Sequence, residues 1–192
     1  MRVFVGVELP DAVRRAAAEA AATLERRLRR RAPRLRLRWV DPENLHVTIW
    51  FIGQVNEEQF SALEDALRHP WHTAAFQLDL GRVGAFPVSG PPRVIWMGVD
   101  EGSTALAALH AELRGRLAPL GYEAERRPYA AHVTLARVKE SRRSEVPAAR
   151  RCLEEASAAR ASARIERVTL FQSHLSPAGS RYEPLFDVPL MR

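Results

Sequence analysis

The chain has 192 residues, 46% of them hydrophobic and 27% charged, with 10 Gly and 13 Pro. This composition is that of a globular protein and excludes a disordered, collagenous or coiled-coil chain. The 29 basic residues against 23 acidic ones leave a formal charge of +6, which favours polyanionic partners through long-range attraction. Lys139 is the only lysine, so the basic charge is almost entirely arginine. A single cysteine, Cys152, cannot form an internal disulfide, and a chain of this length can bury a core without one. No run of about 18 apolar residues suggests a membrane span. The opening MRVFVGVELPD lacks the ordered regions of a signal peptide, so the expected compartment is the cytoplasm.

Alternating Val3, Val5 and Val7 predict a strand over residues 3–8, and Pro10 with Asp11 opens a helix to about Arg31. Leu35 to Val40 reads as a short strand, Asp41 to Asn44 as a turn, and Leu45 to Ile52 as a strand. Asn56 caps a helix carrying Phe60, Leu63 and Leu67 at helical spacing, which stops near Pro70. The second half repeats this grammar. Phe76, Leu78 and Leu80 form a strand, Gly84 to Pro92 a loop, and Arg93 to Val99 a strand. A helix capped by Ser103 or Thr104 runs through Leu117 and ends at Pro119 and Gly121. Tyr122 to Arg126 is expected to be extended, Ala131 to Val138 a strand, and the segment Glu140 to Arg164 to hold one surface helix. A strand at Ile165 to Gln172, a turn at Ser176-Pro177-Ala178-Gly179 and an extended C-terminus close the chain. Strands and helices in two similar halves predict an α+β protein with antiparallel sheets. No polar linker divides the halves, so residues 1–192 are expected to form one bilobal domain.

The strongest pattern is an internal repeat, His46-Val47-Thr48-Ile49 and His132-Val133-Thr134-Leu135. With six His and six Thr in the chain, one His-x-Thr triplet is expected by chance about 0.2 times, and a matched pair is far rarer. A spacing of two places each imidazole beside its hydroxyl on one face of a strand. Imidazole titrates near neutrality, so one ring can accept a proton while the other donates one. Threonine hydroxyls can hydrogen-bond the non-bridging oxygens of a phosphate. The set suits in-line displacement at phosphorus without a metal or other cofactor. No nucleophile elbow and no phosphate-binding Gly-x-x-x-x-Gly-Lys-Ser/Thr loop accompanies it.

These residues resemble the two-histidine phosphoesterase superfamily, and within it the RNA 2′,3′-cyclic phosphodiesterases historically called 2′-5′ RNA ligases. The similarity runs through RVFVGVELP, WVDPENLHVTIWFIG, RRPYAAHVTLARV and LFQSHLSPAGSRYEPL. It implies a bilobal fold with two pseudo-twofold-related antiparallel sheets lining a central cleft and helices packed outside. It also implies metal-independent opening of RNA 2′,3′-cyclic phosphate ends to 2′-phosphomonoesters. His46 would be the proton donor, His132 the proton acceptor, and Thr48, Thr134 and Arg137 phosphate contacts. Arg137 lies five residues from His132, so a regular strand points it to the opposite face unless the strand bulges or ends. Trp50, Tyr129 and Arg127 are candidate RNA contacts; Trp50 shares strand parity with His46 and either lines the cleft or packs in the core. His69, His72, His110 and His174 have no repeat partner and read as structural or exposed.

The implied partner is RNA with a 2′,3′-cyclic phosphate end, tRNA fragments included, with no membrane and a monomeric state. The alternatives are a 2′-5′ ligase of tRNA halves, a phosphodiesterase of small cyclic nucleotides with the same site, and a non-catalytic RNA-binding module. Eight arginines between Arg26 and Arg38 are either a solvated helix end or the route of an RNA strand.

Overall fold

A computed structural model describes residues 1–123, 127–156, 161–176 and 179–192. The first half carries β1 (Arg2–Glu8), α1 (Asp11–Arg31), β2 (Arg36–Trp39), β3 (His46–Gln54) and α2 (Glu57–Arg68). The second carries β4 (Phe76–Phe86), β5 (Val94–Val99), α3 (Ser103–Leu117), β6 (His132–Glu140) and α4 (Val146–Glu154). Strands β7 (Ser162–Ile165), β8 (Arg167–Leu175) and β9 (Ser180–Pro189) close the chain.

Local chemistry sets most boundaries. Pro10 accepts from the Arg14 N–H at 2.9 Å to start α1, whose Val13, Ala17, Leu24 and Leu28 form the buried stripe. Asn56 and Gln59 form a reciprocal capping box on α2, worth about 1 kcal/mol. Four expectations are corrected. The loop from Gly84 to Pro92 begins later, because β4 continues to Phe86; a Cβ on Gly84 would lie 2.4 Å from the Trp96 ring, so the glycine lets that indole cross the strand. Helix α3 is capped by Gly102 at φ 88°, not by the Ser103 or Thr104 side chain. The segment from Glu140 to Arg164 holds β7 as well as its helix, because its last residues pair with the distant Phe76–Asp79. The last strand of that region, β8, begins at Arg167 rather than Ile165, whose pairing lies with β4. Residues 124–126 of the expected extended segment and 177–178 of the expected turn lie outside the described residues; Ser176 and Gly179, the ends of that turn, bond each other reciprocally at 2.8 and 3.1 Å.

The strands are antiparallel and follow the order β7-β4-β5-β6-β3-β1-β8-β9, with β2 also paired to β6. The two halves meet where β3 touches β6 through one pair, Val47 with Val133, after which β2 takes the edge of β6. On each side of that junction the buried face, including Val47, Ile49, Val133 and Leu135, joins one core with Leu24, Leu28 and Leu109 from the helices. The opposite face carries the repeated His and Thr. In antiparallel register, the Val47–Val133 pair sets His46 across from Thr134 and Thr48 across from His132.

A partly buried ion pair on α3 ties that helix to α2. Arg116 is 12% exposed and bonds Glu112 at 2.6 Å. Its guanidinium also donates to the carbonyls of Ala66, His69 and Pro70, completing the C-terminal end of α2, and lies 4.2 Å from the Trp71 ring centroid. Burial raises the Glu112 carboxyl, but Arg116 and His72 outweigh it and the net shift is downward. Arg116→Ala leaves Glu112 with only His72 and Thr73 as partners and strips the guanidinium from three carbonyls. It should destabilise the fold by about 3 kcal/mol, lowering Tm by roughly 10 °C. Thermal denaturation checks this; a Tm equal to that of the wild type would show that water replaces the guanidinium.

Candidate active site

Each catalytic-type histidine opens its strand, and the two strands share one irregularity. Opposite β3, Val5 pairs with Trp50 and Gly6 with Thr48, leaving Ile49 unpaired. Opposite β6, Ile95 pairs with Ala136 and Trp96 with Thr134, leaving Leu135 unpaired. A bulge at the same place in both copies reverses the alternation beyond it. Trp50 and Ala136 therefore turn into the core, whereas Phe51 and Arg137 emerge on the histidine face. The bulge is what brings Arg137 to the cleft.

The cleft contains two adjoining cavities. One, of about 340 Å³, is lined by His46, Thr134, Arg137, Arg2 and Tyr182 among others. The second, of about 330 Å³, is lined by His132, Tyr129, Arg127, His110 and Trp50 among others. Thr48 and Phe51 line both. His46, Thr48, His132, Thr134 and Arg137 thus converge on one cleft.

The rings are held in the same way. His46 Nδ1 donates to the Asn44 carbonyl at 2.7 Å, and His132 Nδ1 donates to the Ala130 carbonyl at 2.7 Å. A carbonyl only accepts, so Nδ1 carries the hydrogen and the neutral ring keeps its lone pair on Nε2. His46 Nε2 lies 2.9 Å from Thr48 Oγ1. Asn44 is itself fixed, its side chain donating to the Ser180 carbonyl at 3.0 Å and accepting from the Tyr182 N–H at 3.1 Å. Phe4 and Tyr182 each stand 4.8 Å from the His46 ring, centroid to centroid. Burial in this cage pushes the His46 pKa down to about 4; the Asn44 bond opposes the shift, and His132 and Arg137 add to it. Burial also lowers His132, against the Ala130 bond and with help from Arg137. In the free protein both rings are neutral at pH 7.

The remaining expected site residues divide. Tyr129 donates its hydroxyl to the Thr48 carbonyl at 3.1 Å and stacks on His110 at 4.6 Å, so its ring braces the first motif from the second half. Trp50 is 6% exposed and also stacks on His110, at 4.9 Å. Arg127 is exposed on the cavity wall. His110, read as structural or exposed, is therefore a wall of the cleft that ties these two rings together. His72 and His174 pair with Glu112 and Glu183, and His69 ends α2. The basic run also divides. Arg27 and Arg31 bond Glu155, Arg29 bonds Glu25, and the Arg34 N–H bonds Glu145, all at the end of α1 near α4; only Arg36 and Arg38 lie on β2 beside β6.

Asn44, Phe4 and Tyr182 were not legible as site residues. One signal pointed to the anchoring of the rings: Pro42 and Pro128 each stand four positions before a histidine, so the repeat extends upstream into both anchoring turns.

Two imidazoles whose Nδ1 hydrogens are bound to carbonyls, two hydroxyls and an arginine on an antiparallel α+β fold define a two-histidine phosphoesterase. The chain matches the LigT like phosphoesterase family over residues 10–96 and 98–182. The RNA 2′,3′-cyclic phosphodiesterase of Archaeoglobus fulgidus is 31% identical over 185 residues, 96% of this chain and 98% of that one. The protein of the same name from Thermotoga maritima is 28% identical, over 97% of this chain and 94% of its own. The crystal structure of TT0787 of Thermus thermophilus has a TM-score of 0.80 at 27% identity, covering 99% of this chain and 98% of that one. That of E. coli LigT complexed with 3′-AMP has a TM-score of 0.73 at 26% identity, covering 100% of this chain and 98% of LigT. The chain belongs to the LigT-like phosphoesterase family and is a hydrolase. Among the described residues no helix is long and apolar enough to cross a membrane.

Proposed function

We propose that the protein opens 2′,3′-cyclic phosphates at RNA ends to 2′-phosphomonoesters, working as a monomer in the cytoplasm within a single bilobal domain. The observation that carries this reading is the matched anchoring of the two rings, each with Nδ1–H bound to the carbonyl two residues before it. The names of the A. fulgidus and T. maritima relatives and the 3′-AMP complex of LigT support the substrate class.

In the reaction, a water oxygen attacks phosphorus as its proton passes to His132 Nε2. The bond from phosphorus to O3′ breaks, and O3′ takes the proton of His46 Nε2, leaving a 2′-phosphate and a free 3′-hydroxyl. The environments support this division of roles. An imidazolium of depressed pKa is the stronger acid, which fits the caged His46. Thr48, Thr134 and Arg137 bind the non-bridging oxygens, whose negative charge raises His46 toward protonation when substrate enters. Tyr129, Arg127 and Trp50 form or brace the wall on which the terminal nucleotide rests.

Both proton transfers use imidazole, so turnover needs no metal. Incubation of an oligonucleotide 2′,3′-cyclic phosphate in excess EDTA should yield only the 2′-phosphate at the rate seen without chelator. A 3′-phosphate product, or activity lost to EDTA and restored by a divalent cation, would overturn the mechanism. Binding without any turnover would favour a non-catalytic RNA-binding module.

A further inference from the structure

The two half-sites are joined by very little ladder. β3 and β6 pair only at Val47 and Val133, and the residues just before His132 form no strand. The Thr48 carbonyl takes its hydrogen bond on that side from a side chain, the Tyr129 hydroxyl at 3.1 Å. Burial raises the Tyr129 pKa, so the hydroxyl keeps its proton and stays a donor. The neighbouring residue, Ala130, gives its carbonyl to His132 Nδ1, and Thr48 sets its Oγ1 2.9 Å from His46 Nε2. A continuous path therefore runs from one imidazole to the other through Ala130, Tyr129 and Thr48. Its middle is backed by a helix. The Tyr129 ring lies nearly parallel to that of His110, at 13°, and His110 follows the fully buried Leu109 on α3, so the stack is mounted on an element of the core.

We propose that Tyr129, held against His110, is a positioning residue that sets the spacing between the two histidine motifs and so the placement of one phosphate between them. This rests on the reading of the site given above, and it gives the Tyr129 hydroxyl a duty separate from any contact with the nucleotide. In-line displacement needs the proton donor and acceptor on opposite sides of phosphorus, and a misplacement of about 1 Å can cost on the order of a hundredfold in rate. A residue that fixes the spacing therefore acts on kcat, whereas one that only holds the nucleotide acts on KM.

The test measures kcat, KM and Tm on a nucleoside 2′,3′-cyclic phosphate for wild type, Tyr129→Phe, His110→Ala and His110→Phe. Tyr129→Phe keeps the stack and removes only the hydroxyl, so kcat should fall about fivefold, the worth of one neutral hydrogen bond, while KM changes by less than about twofold and Tm stays close to that of the wild type. His110→Ala removes the backing and should lower kcat by at least as much; His110→Phe, which restores a ring, should recover most of that loss. Adding Tyr129→Phe to His110→Ala should cost little more, because both act through the same hydroxyl. A wild-type kcat in Tyr129→Phe, or a loss carried wholly by KM, would overturn the proposal. So would a His110→Ala variant with lowered Tm and unchanged kcat, the mark of packing alone. A second readout needs no turnover. Followed by NMR, inorganic phosphate should raise the titrations of both rings together in the wild type. In Tyr129→Phe the His132 shift should shrink while that of His46 persists, because Thr134 and Arg137 hold the anion in the His46 cavity. If the wild type opened no cyclic phosphate, this paired titration would still decide: uncoupled shifts in Tyr129→Phe support the positioning role and condemn only the reading of the reaction, and unchanged shifts overturn it.

Discussion

His46→Ala and His132→Ala should each lower kcat on an oligonucleotide cyclic phosphate by about 10²–10⁴-fold, the range of one general acid or base. The two transfers occur in the same displacement, so the double variant should fall far short of the product of the single losses. Neither ring belongs to the apolar core, so the variants should fold with a Tm close to that of the wild type. Product binding should fall only modestly, because Thr48, Thr134 and Arg137 remain. Thr48→Ala and Thr134→Ala should cost about tenfold, each removing one hydrogen bond to the phosphoryl group. Single-turnover kinetics separates these effects from product release. A variant of either histidine that kept wild-type kcat would remove that ring from the chemistry.

The pH dependence should differ between kcat/KM and kcat, and in a stated direction. In the proposed reaction the active form has His46 charged and His132 neutral. In the free enzyme His46 is held at about 4 by its aromatic cage, so once the pH exceeds the values of both rings the required proton is lost and kcat/KM should fall by about tenfold per pH unit. The bound cyclic phosphate stays anionic throughout and raises the His46 pKa, so binding takes up a proton. The descending limb of kcat should therefore lie at higher pH than that of kcat/KM. Adding inorganic phosphate should shift the His46 titration upward when followed by NMR. Widening the cage with Phe4→Leu should raise kcat/KM at neutral pH by increasing the charged fraction of His46, because it lessens the burial that depresses the ring. Coincident limbs, or a phosphate-insensitive titration, would show that His46 does not carry the leaving-group proton.

The His-x-Thr repeat and the elements around it were legible because their signals are local. A spacing of two in a strand puts imidazole and hydroxyl on one face whatever the strand pairs with, and Asn56 or Pro10 marks a helix start through its nearest neighbours. Gly84 misled for the opposite reason: it reads as a loop residue, yet its lack of a side chain serves an indole on the neighbouring strand. The edge strand Ser162–Ile165 was hidden in a charged segment because its only reason to be extended is a partner far earlier in the chain.

For the site, the sequence by itself determined which histidines and threonines lie together, since the same His-Val-Thr triplet occurs twice in equivalent strands. It left Arg137 and Trp50 open, because the face each takes depends on whether the strand keeps its alternation. The tertiary structure decided both through Ile49 and Leu135, each left unpaired against a neighbouring strand. It also decided the protonation of the site: the cage of Phe4 and Tyr182 around His46 comes from the two ends of the chain, and desolvation by groups so far apart in sequence exists only once the sheet has formed.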